Sequence, residues 1–136
     1  MVSAQYVSWS DIDSIVANLA NIISKSTRFF SSISTLSRGG LVPSRLLADQ
    51  LGIDKIFVDE TVISHNSMFV DDIFDSGKTF DNICAKIDDP SKLFYVTLFA
   101  RRNKTYPSQL TYGKKTDNDA YVVFPWDKME FERSQN

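Results

Sequence analysis

Residues Leu93–Ala100 form an apolar run in which only Tyr95 and Thr97 carry polar side-chain atoms. The run is far shorter than the ~20 residues of a membrane-spanning helix. Its aromatic and β-branched content fits a strand buried on both faces. Such a strand needs covering layers, and three helical patterns precede it in the chain.

In the first pattern, Ile12, Ile15, Val16, Leu19, Ala20, Ile22 and Ile23 share one helical face, with Ser10 as the expected N-cap. In the second, Pro43 suits a first turn, Leu46, Leu47 and Leu51 face inward, and Gly52 suits the C-cap. The third covers Lys78–Ile87, with Phe80, Ile83 and Ala85 partly buried, after a break at Ser76-Gly77. Further strands are expected at Ile33–Leu36, Lys55–Ile63, Met68–Asp71, Leu110–Tyr112 and Tyr121–Val123. Ser64-His65-Asn66-Ser67 consists of turn formers and predicts a tight reversal. This order predicts one α/β domain over 1–136, a mainly parallel sheet flanked by helices.

Charge and composition remove several classes of function. Fifteen basic and seventeen acidic residues leave a net charge of −2, which argues against nucleic acid as the partner. The only cysteine, Cys84, allows no internal disulfide and fits a reducing, cytoplasmic setting. The only histidine, His65, leaves no His-rich zinc site and weakens any Ser-His or Cys-His scheme. No secretory signal and no membrane span are expected.

Met68-Phe69-Val70-Asp71-Asp72-Ile73-Phe74-Asp75-Ser76-Gly77-Lys78-Thr79 is the most informative stretch. An apolar strand delivers Asp71 and Asp72 to its carboxyl end, where open α/β sheets bind ligands. Asp75 follows, and then Ser76, Gly77, Lys78 and Thr79 can turn main-chain N–H groups outward at a helix start, as phosphate requires. Gly77-Lys78-Thr79 imitates the end of a Walker A loop, but Asp72 stands where that loop needs glycine. By itself the stretch also fits a strand that ends in solvated acids before an ordinary helix.

Together with other segments, this stretch resembles the phosphoribosyl-pyrophosphate signature of type I phosphoribosyltransferases. Leu36-Ser37-Arg38-Gly39-Gly40-Leu41-Val42-Pro43 is similar to the family's pyrophosphate loop. Tyr6-Val7-Ser8-Trp9, Tyr95–Arg101 and Tyr121-Val122-Val123-Phe124-Pro125-Trp126-Asp127 resemble segments of its purine branch, near xanthine–guanine and hypoxanthine phosphoribosyltransferases. The matches follow the family's order and cover most of the chain. Two departures stand out. Ser64–Ser67 replaces a long mobile loop, and Arg101 and Tyr121 replace the usual lysine and tryptophan.

The resemblance implies a Mg²⁺-dependent purine-salvage enzyme that joins a 6-oxopurine base to phosphoribosyl pyrophosphate, releasing pyrophosphate and a nucleoside 5′-monophosphate. It implies that Asp71 and Asp72 hold the ribose hydroxyls, with Asp72 also near Mg²⁺. Asp75 is then the proton-transfer residue at purine N7. Ser76, Gly77, Lys78 and Thr79 cradle the 5′-phosphate; Ser37, Arg38 and Gly39 grip pyrophosphate, with a strained peptide at Ser37 or Arg38. Arg101 donates to the 6-oxo group, Tyr121 stacks on the base, and Val122 offers main-chain groups to the ring edge. A homodimer or higher homo-oligomer is implied as well. The alternative is a nucleotide- or phosphoribosyl-pyrophosphate-binding regulatory module without turnover.

Without the mobile loop, the polar stretch Arg102–Ala120, with Lys104, Lys114 and Lys115, is the expected substitute cover. His65 is read as an exposed turn residue, Cys84 as a helix-face residue, and Asp59-Glu60 as a strand's exposed edge. Trp9 and Trp126 are read as packing anchors.

Overall fold

The computed structural model describes residues 3–136, so Met1 and Val2 of the expected 1–136 domain lie outside the described residues. The chain runs β1 (Ala4–Tyr6), α1 (Trp9–Ser24), β2 (Ser32–Thr35), α2 (Leu41–Leu51), β3 (Ile56–Val58), β4 (Ser67–Phe74), α3 (Lys78–Cys84), β5 (Tyr95–Ala100), β6 (Leu110–Lys115), β7 (Tyr121–Val123) and α4 (Lys128–Ser134). Short 3-10 turns occupy Pro90–Lys92 and Pro125–Asp127. The main sheet has the order β3-β2-β4-β5-β6, and each of its pairings is parallel. A separate parallel pair joins β1 to β7. The expected α/β architecture with a parallel sheet is therefore present.

Period-two alternation sends neighbouring side chains of the central strands into different cores. Met68 and Val70 of β4, with Val96 and Leu98 of β5, meet Ile12, Val16 and Leu19 of α1 and Leu47 of α2. Phe69 and Tyr95 point the other way and join Ile83 and Ile87. Their rings stack at 5.1 Å. All of β5 is buried, as the apolar run at its centre requires.

Local chemistry explains the helix ends and corrects one of them. The N-cap of α1 is Ser8, not Ser10: Asp11 N donates to Ser8 Oγ and Ser8 N donates to Asp11 Oδ2, each at 3.0 Å. This reciprocal pair satisfies two donors that a helix start leaves open, and Ser10 falls inside the first turn. Ile22, expected on the buried stripe, is 42% exposed, because Ile23 holds the inward position. Gly52 does terminate α2 with φ 69°, a left-handed conformation that suits glycine. The helix α3 ends at Cys84, earlier than the expected Ile87, and Ala85 is exposed.

The expected strand Lys55–Ile63 shortens to Ile56–Val58, and its reversal into β4 does not occur. Asp59 takes φ 57° and turns its carboxylate toward Ser37, which ends the strand. With β2 between β3 and β4, the connection 59–66 must return across the sheet to begin a parallel strand. It is pinned on the way by Ile63 N to Lys86 O and Asp88 N to Ile63 O, each 3.0 Å. The turn at Ser64–Ser67 is present, closed by Ser67 N donating to Ser64 O at 3.0 Å.

Arg102–Ala120 is not a free cover. It supplies β6, which lies parallel to β5 with Thr97 opposite Tyr112, and Thr116 N donates to Ala100 O at 3.0 Å. The helix α4 was not anticipated from the sequence, and neither was β1. No helix of the described residues is long and apolar enough to cross a membrane.

Candidate ligand site at the carboxyl edge of the sheet

Because every strand of the main sheet is parallel, the segments that leave β2, β4 and β5 emerge at one edge. After β2 comes Leu36–Gly40, after β4 comes Asp75–Gly77, and after β5 comes Arg101. This is the edge at which open α/β sheets bind ligands.

The strand β4 extends to Phe74, so Asp71 and Asp72 lie within it and not beyond its end. Each carboxylate bonds locally: Asp72 N donates to Asp71 Oδ1 at 2.9 Å, and Ile73 N donates to Asp72 Oδ1 at 2.8 Å. Tyr95 Oη approaches Asp71 Oδ2 at 3.5 Å. Burial pushes the Asp71 carboxyl above the usual range. Burial and the adjacent Asp71 charge push Asp72 up to about 7. Two half-buried like charges side by side are costly, and a cation or a polyhydroxyl ligand relieves them.

A cavity of about 190 Å³ is bounded by Asp71, Asp72, Asp75, Ser76, Lys78 and Thr79. Gly77 N-caps α3 with φ 86°, and Lys78 N donates to Ser76 Oγ at 3.3 Å. The four residues expected to cradle phosphate thus border the same cavity as the acid pair.

The peptide between Ser37 and Arg38, the two residues at which the resemblance implied a strained peptide, is cis. Ser37 is anchored by Asp59, which accepts from Ser37 N at 3.0 Å and from Ser37 Oγ at 2.5 Å. Those bonds hold the Asp59 carboxyl below the usual carboxylate range. Asp59, read from the sequence as an edge acid, therefore positions this loop. The next residue, Gly39, lies directly against Asp72, since a Cβ there would stand 2.8 Å from Asp72 Oδ2. A Cβ on Gly40 would collide with Thr35 Oγ1, which donates to Val70 O at 2.6 Å. Only a chain without side chains at both positions brings this loop onto β4.

Arg101 is buried, and its guanidinium is largely engaged within the protein. Nε donates to Asp75 Oδ1 at 3.2 Å and Nη2 to Asp75 Oδ2 at 3.4 Å. Nη1 donates to Asn118 O at 3.2 Å and Ala120 O at 2.9 Å. A guanidinium carries five N–H donors, so one Nη2 proton is left over. Tyr121 follows this anchored loop and is 53% exposed. Tyr121 N donates to Ser3 O, and Val7 N donates to Val123 O, each at 3.0 Å. Alternation along the strand turns the main-chain groups of Val122 to the opposite edge, while its side chain is buried.

The structure thus gathers the expected acids, the two loops and Arg101 at one edge, with Tyr121 close by on the smaller sheet. It adds Asp59 and Tyr95, and it adds Glu130 and Phe131 of α4. Asp59 gave no local signal, because its partner Ser37 is distant in sequence. His65 is not at this edge: His65 Nδ1 and its main-chain N approach Asp88 Oδ1 at 3.1 and 2.9 Å. Cys84 is half-buried, and burial raises its thiol pKa. Trp9 is 53% exposed and tilts against Trp126 at 5.8 Å, so the indole of Trp126, stacked on Phe124 at 4.9 Å, is the better packed of the two.

No family model matches the sequence. A xanthine-guanine phosphoribosyltransferase from Desulfotalea psychrophila is 25% identical, over 73% of this chain and 71% of that protein. The fold is similar to that of the xanthine-guanine-hypoxanthine phosphoribosyltransferase of Helicobacter pylori, with TM-score 0.76 and 14% identity over 98% of this chain and 99% of that one. It is also similar to a hypothetical protein from Neisseria gonorrhoeae with bound ppGpp, with TM-score 0.71 and 16% identity over 99% and 95% of the two chains.

Proposed function

We propose that this chain, a distant relative of the purine phosphoribosyltransferases with their type I fold, itself transfers a ribose 5-phosphate group from phosphoribosyl pyrophosphate to a 6-oxopurine. The carrying observation is the meeting of unlike groups at one edge: Asp71 and Asp72, the Ser76–Thr79 turn, the Ser37–Gly39 loop, and the Arg101–Asp75 pair.

In this reading the Asp71 and Asp72 carboxylates accept from the ribose hydroxyls. Ser76, Gly77, Lys78 and Thr79 donate to the 5′-phosphate. Ser37, Arg38 and Gly39 hold pyrophosphate at the far side of the sugar. Attack by a purine nitrogen on C1′ builds positive charge on the ribose and negative charge on the departing pyrophosphate, which Arg38 stabilises. Asp75 exchanges a proton at purine N7. The remaining Nη2 proton of Arg101 donates to the 6-oxo group, since a guanidinium has no acceptor to offer an exocyclic amine. Tyr121 stacks on the base and Val122 meets its edge through the main chain.

Magnesium fits the residues present. Among the described residues, no group of three or more metal-binding side chains stands together. Mg²⁺ often takes one or two carboxylates and completes its shell with substrate phosphates and water, and Asp72 supplies such a carboxylate. Bound with the substrate, the ion would neutralise charge on the leaving group. A cytoplasmic homodimer is part of the same proposal.

A second reading, a regulatory module that binds a nucleotide without turnover, draws support from the Neisseria gonorrhoeae protein with bound ppGpp. A pyrophosphate-release assay across purine and pyrimidine bases, with and without Mg²⁺, separates the two. Release with 6-oxopurines and Mg²⁺ is the expected result. Binding of nucleotide with no release for any base would favour the second reading.

A further inference from the structure

The helix α4 touches the candidate site at two places. Glu130 Oε2 lies 2.6 Å from Arg38 Nη2. One residue later, the Phe131 ring stacks on Tyr121, with centroids 5.4 Å and planes 14° apart. Tyr6 meets Phe131 edge-on at 6.1 Å. Arg38, Glu130, Tyr121 and Phe131 border one cavity of about 320 Å³, together with Gly39 and Asp127. In the reading above, Arg38 receives pyrophosphate and Tyr121 receives the base. Consecutive residues of α4 therefore offer an anion to the first and an aromatic ring to the second.

We propose that α4 is a resident competitor, a segment of the chain that occupies ligand positions until phosphoribosyl pyrophosphate and purine displace it. The inference rests on the phosphoribosyltransferase reading of the site. Charge decides between displacement and a closing lid. Pyrophosphate at Arg38 would stand beside the Glu130 carboxylate, in a cavity that the Asp127 carboxyl also lines. Glu130 and a polyanion repel each other, so one guanidinium does not serve both. Phe131 covers one face of the Tyr121 ring, and a base that stacks on that face takes its place.

The contacts are built to exchange. Arg38 and Glu130 are 73% and 60% exposed, and an ion pair in that setting contributes little stability. No residue of α4 is buried, so its departure uncovers no core. The chain before it is fixed, because Trp126 stacks on Phe124 at 4.9 Å. Movement is thereby confined to the residues after Trp126.

Calorimetric titration of the full chain with magnesium pyrophosphate and with guanosine 5′-monophosphate tests this, alongside Glu130→Gln and Phe131→Ala. Glu130→Gln should bind pyrophosphate roughly two- to fivefold more tightly. Phe131→Ala should bind the nucleotide roughly two- to tenfold more tightly. Amides of residues 128–134 should exchange faster when either ligand is added. Wild-type binding with unchanged or weaker binding by the variants, or protection of 128–134 on ligand addition, would overturn the competitor. Failure of the wild type and both variants to bind either ligand would overturn the reading of the site, and the competitor with it.

Discussion

Arg101 holds Asp75 with two of its nitrogens, at 3.2 and 3.4 Å, and holds the carbonyls of Asn118 and Ala120 with a third. One buried cation thus connects the acid after β4 to the loop that presents Tyr121. The side chain is only 11% exposed while that of Asp75 is 56% exposed, so the acid stands open to a ligand while the cation is mostly enclosed, with one Nη2 proton uncommitted.

Arg101→Lys should uncouple the two segments, since an ammonium keeps the charge but does not span both. The Asn118 and Ala120 carbonyls would lose their partner, at a cost of about 1–3 kcal/mol when such groups are buried. Urea unfolding should show the loss, and affinity for the purine should fall with it. Unchanged stability together with unchanged purine affinity would remove Arg101 from both tasks.

Asp75→Asn preserves size but not the ability to accept a proton. Turnover should fall by ~10²–10⁴-fold, the usual contribution of a positioned acid or base. Affinity for phosphoribosyl pyrophosphate should change little. Steady-state kinetics with independent binding titrations checks the split, and equal losses in both would contradict the proton-transfer role.

Asp72 predicts a pH dependence of stability. Its carboxyl is raised from 3.8 to about 7 in the fold, first by burial and then by Asp71. The folded state therefore favours the protonated form, and the resulting advantage is present below pH ~4 and lost as pH rises toward ~7. Asp72→Asn escapes that loss. Against wild type without Mg²⁺, it should show little difference near pH 4 and a gain on the order of 2 kcal/mol near pH 8. Addition of Mg²⁺ should narrow the gap by favouring the ionised wild-type pair. A gap independent of pH would mean that ionisation of Asp72 is not strained.

Arg38→Ala should weaken pyrophosphate and phosphoribosyl pyrophosphate severalfold or more while leaving a nucleoside monophosphate nearly unaffected. The loop that carries Arg38 follows β2, whereas the 5′-phosphate turn follows β4. Titration with both kinds of ligand reads the difference, and comparable losses for the two would place Arg38 elsewhere in the binding scheme.

Local chemistry wrote much of this fold into the sequence. The buried strand β5 follows from an uninterrupted apolar run, and the left-handed end of α2 follows from Gly52. The acid pair, the Gly77 turn and the Gly39-Gly40 loop were legible because each depends on residues adjacent in the chain. Tertiary structure decided what those residues touch. Asp59 reaches Ser37 across the gap between β2 and β3, Arg101 turns inward to Asp75 and Ala120, and Glu130 returns to Arg38 from the carboxyl-terminal helix. An isolated acid or guanidinium is equally compatible with solvent, a ligand or another side chain. The partner it takes depends on distances that exist only once the parallel strands have brought their carboxyl ends together.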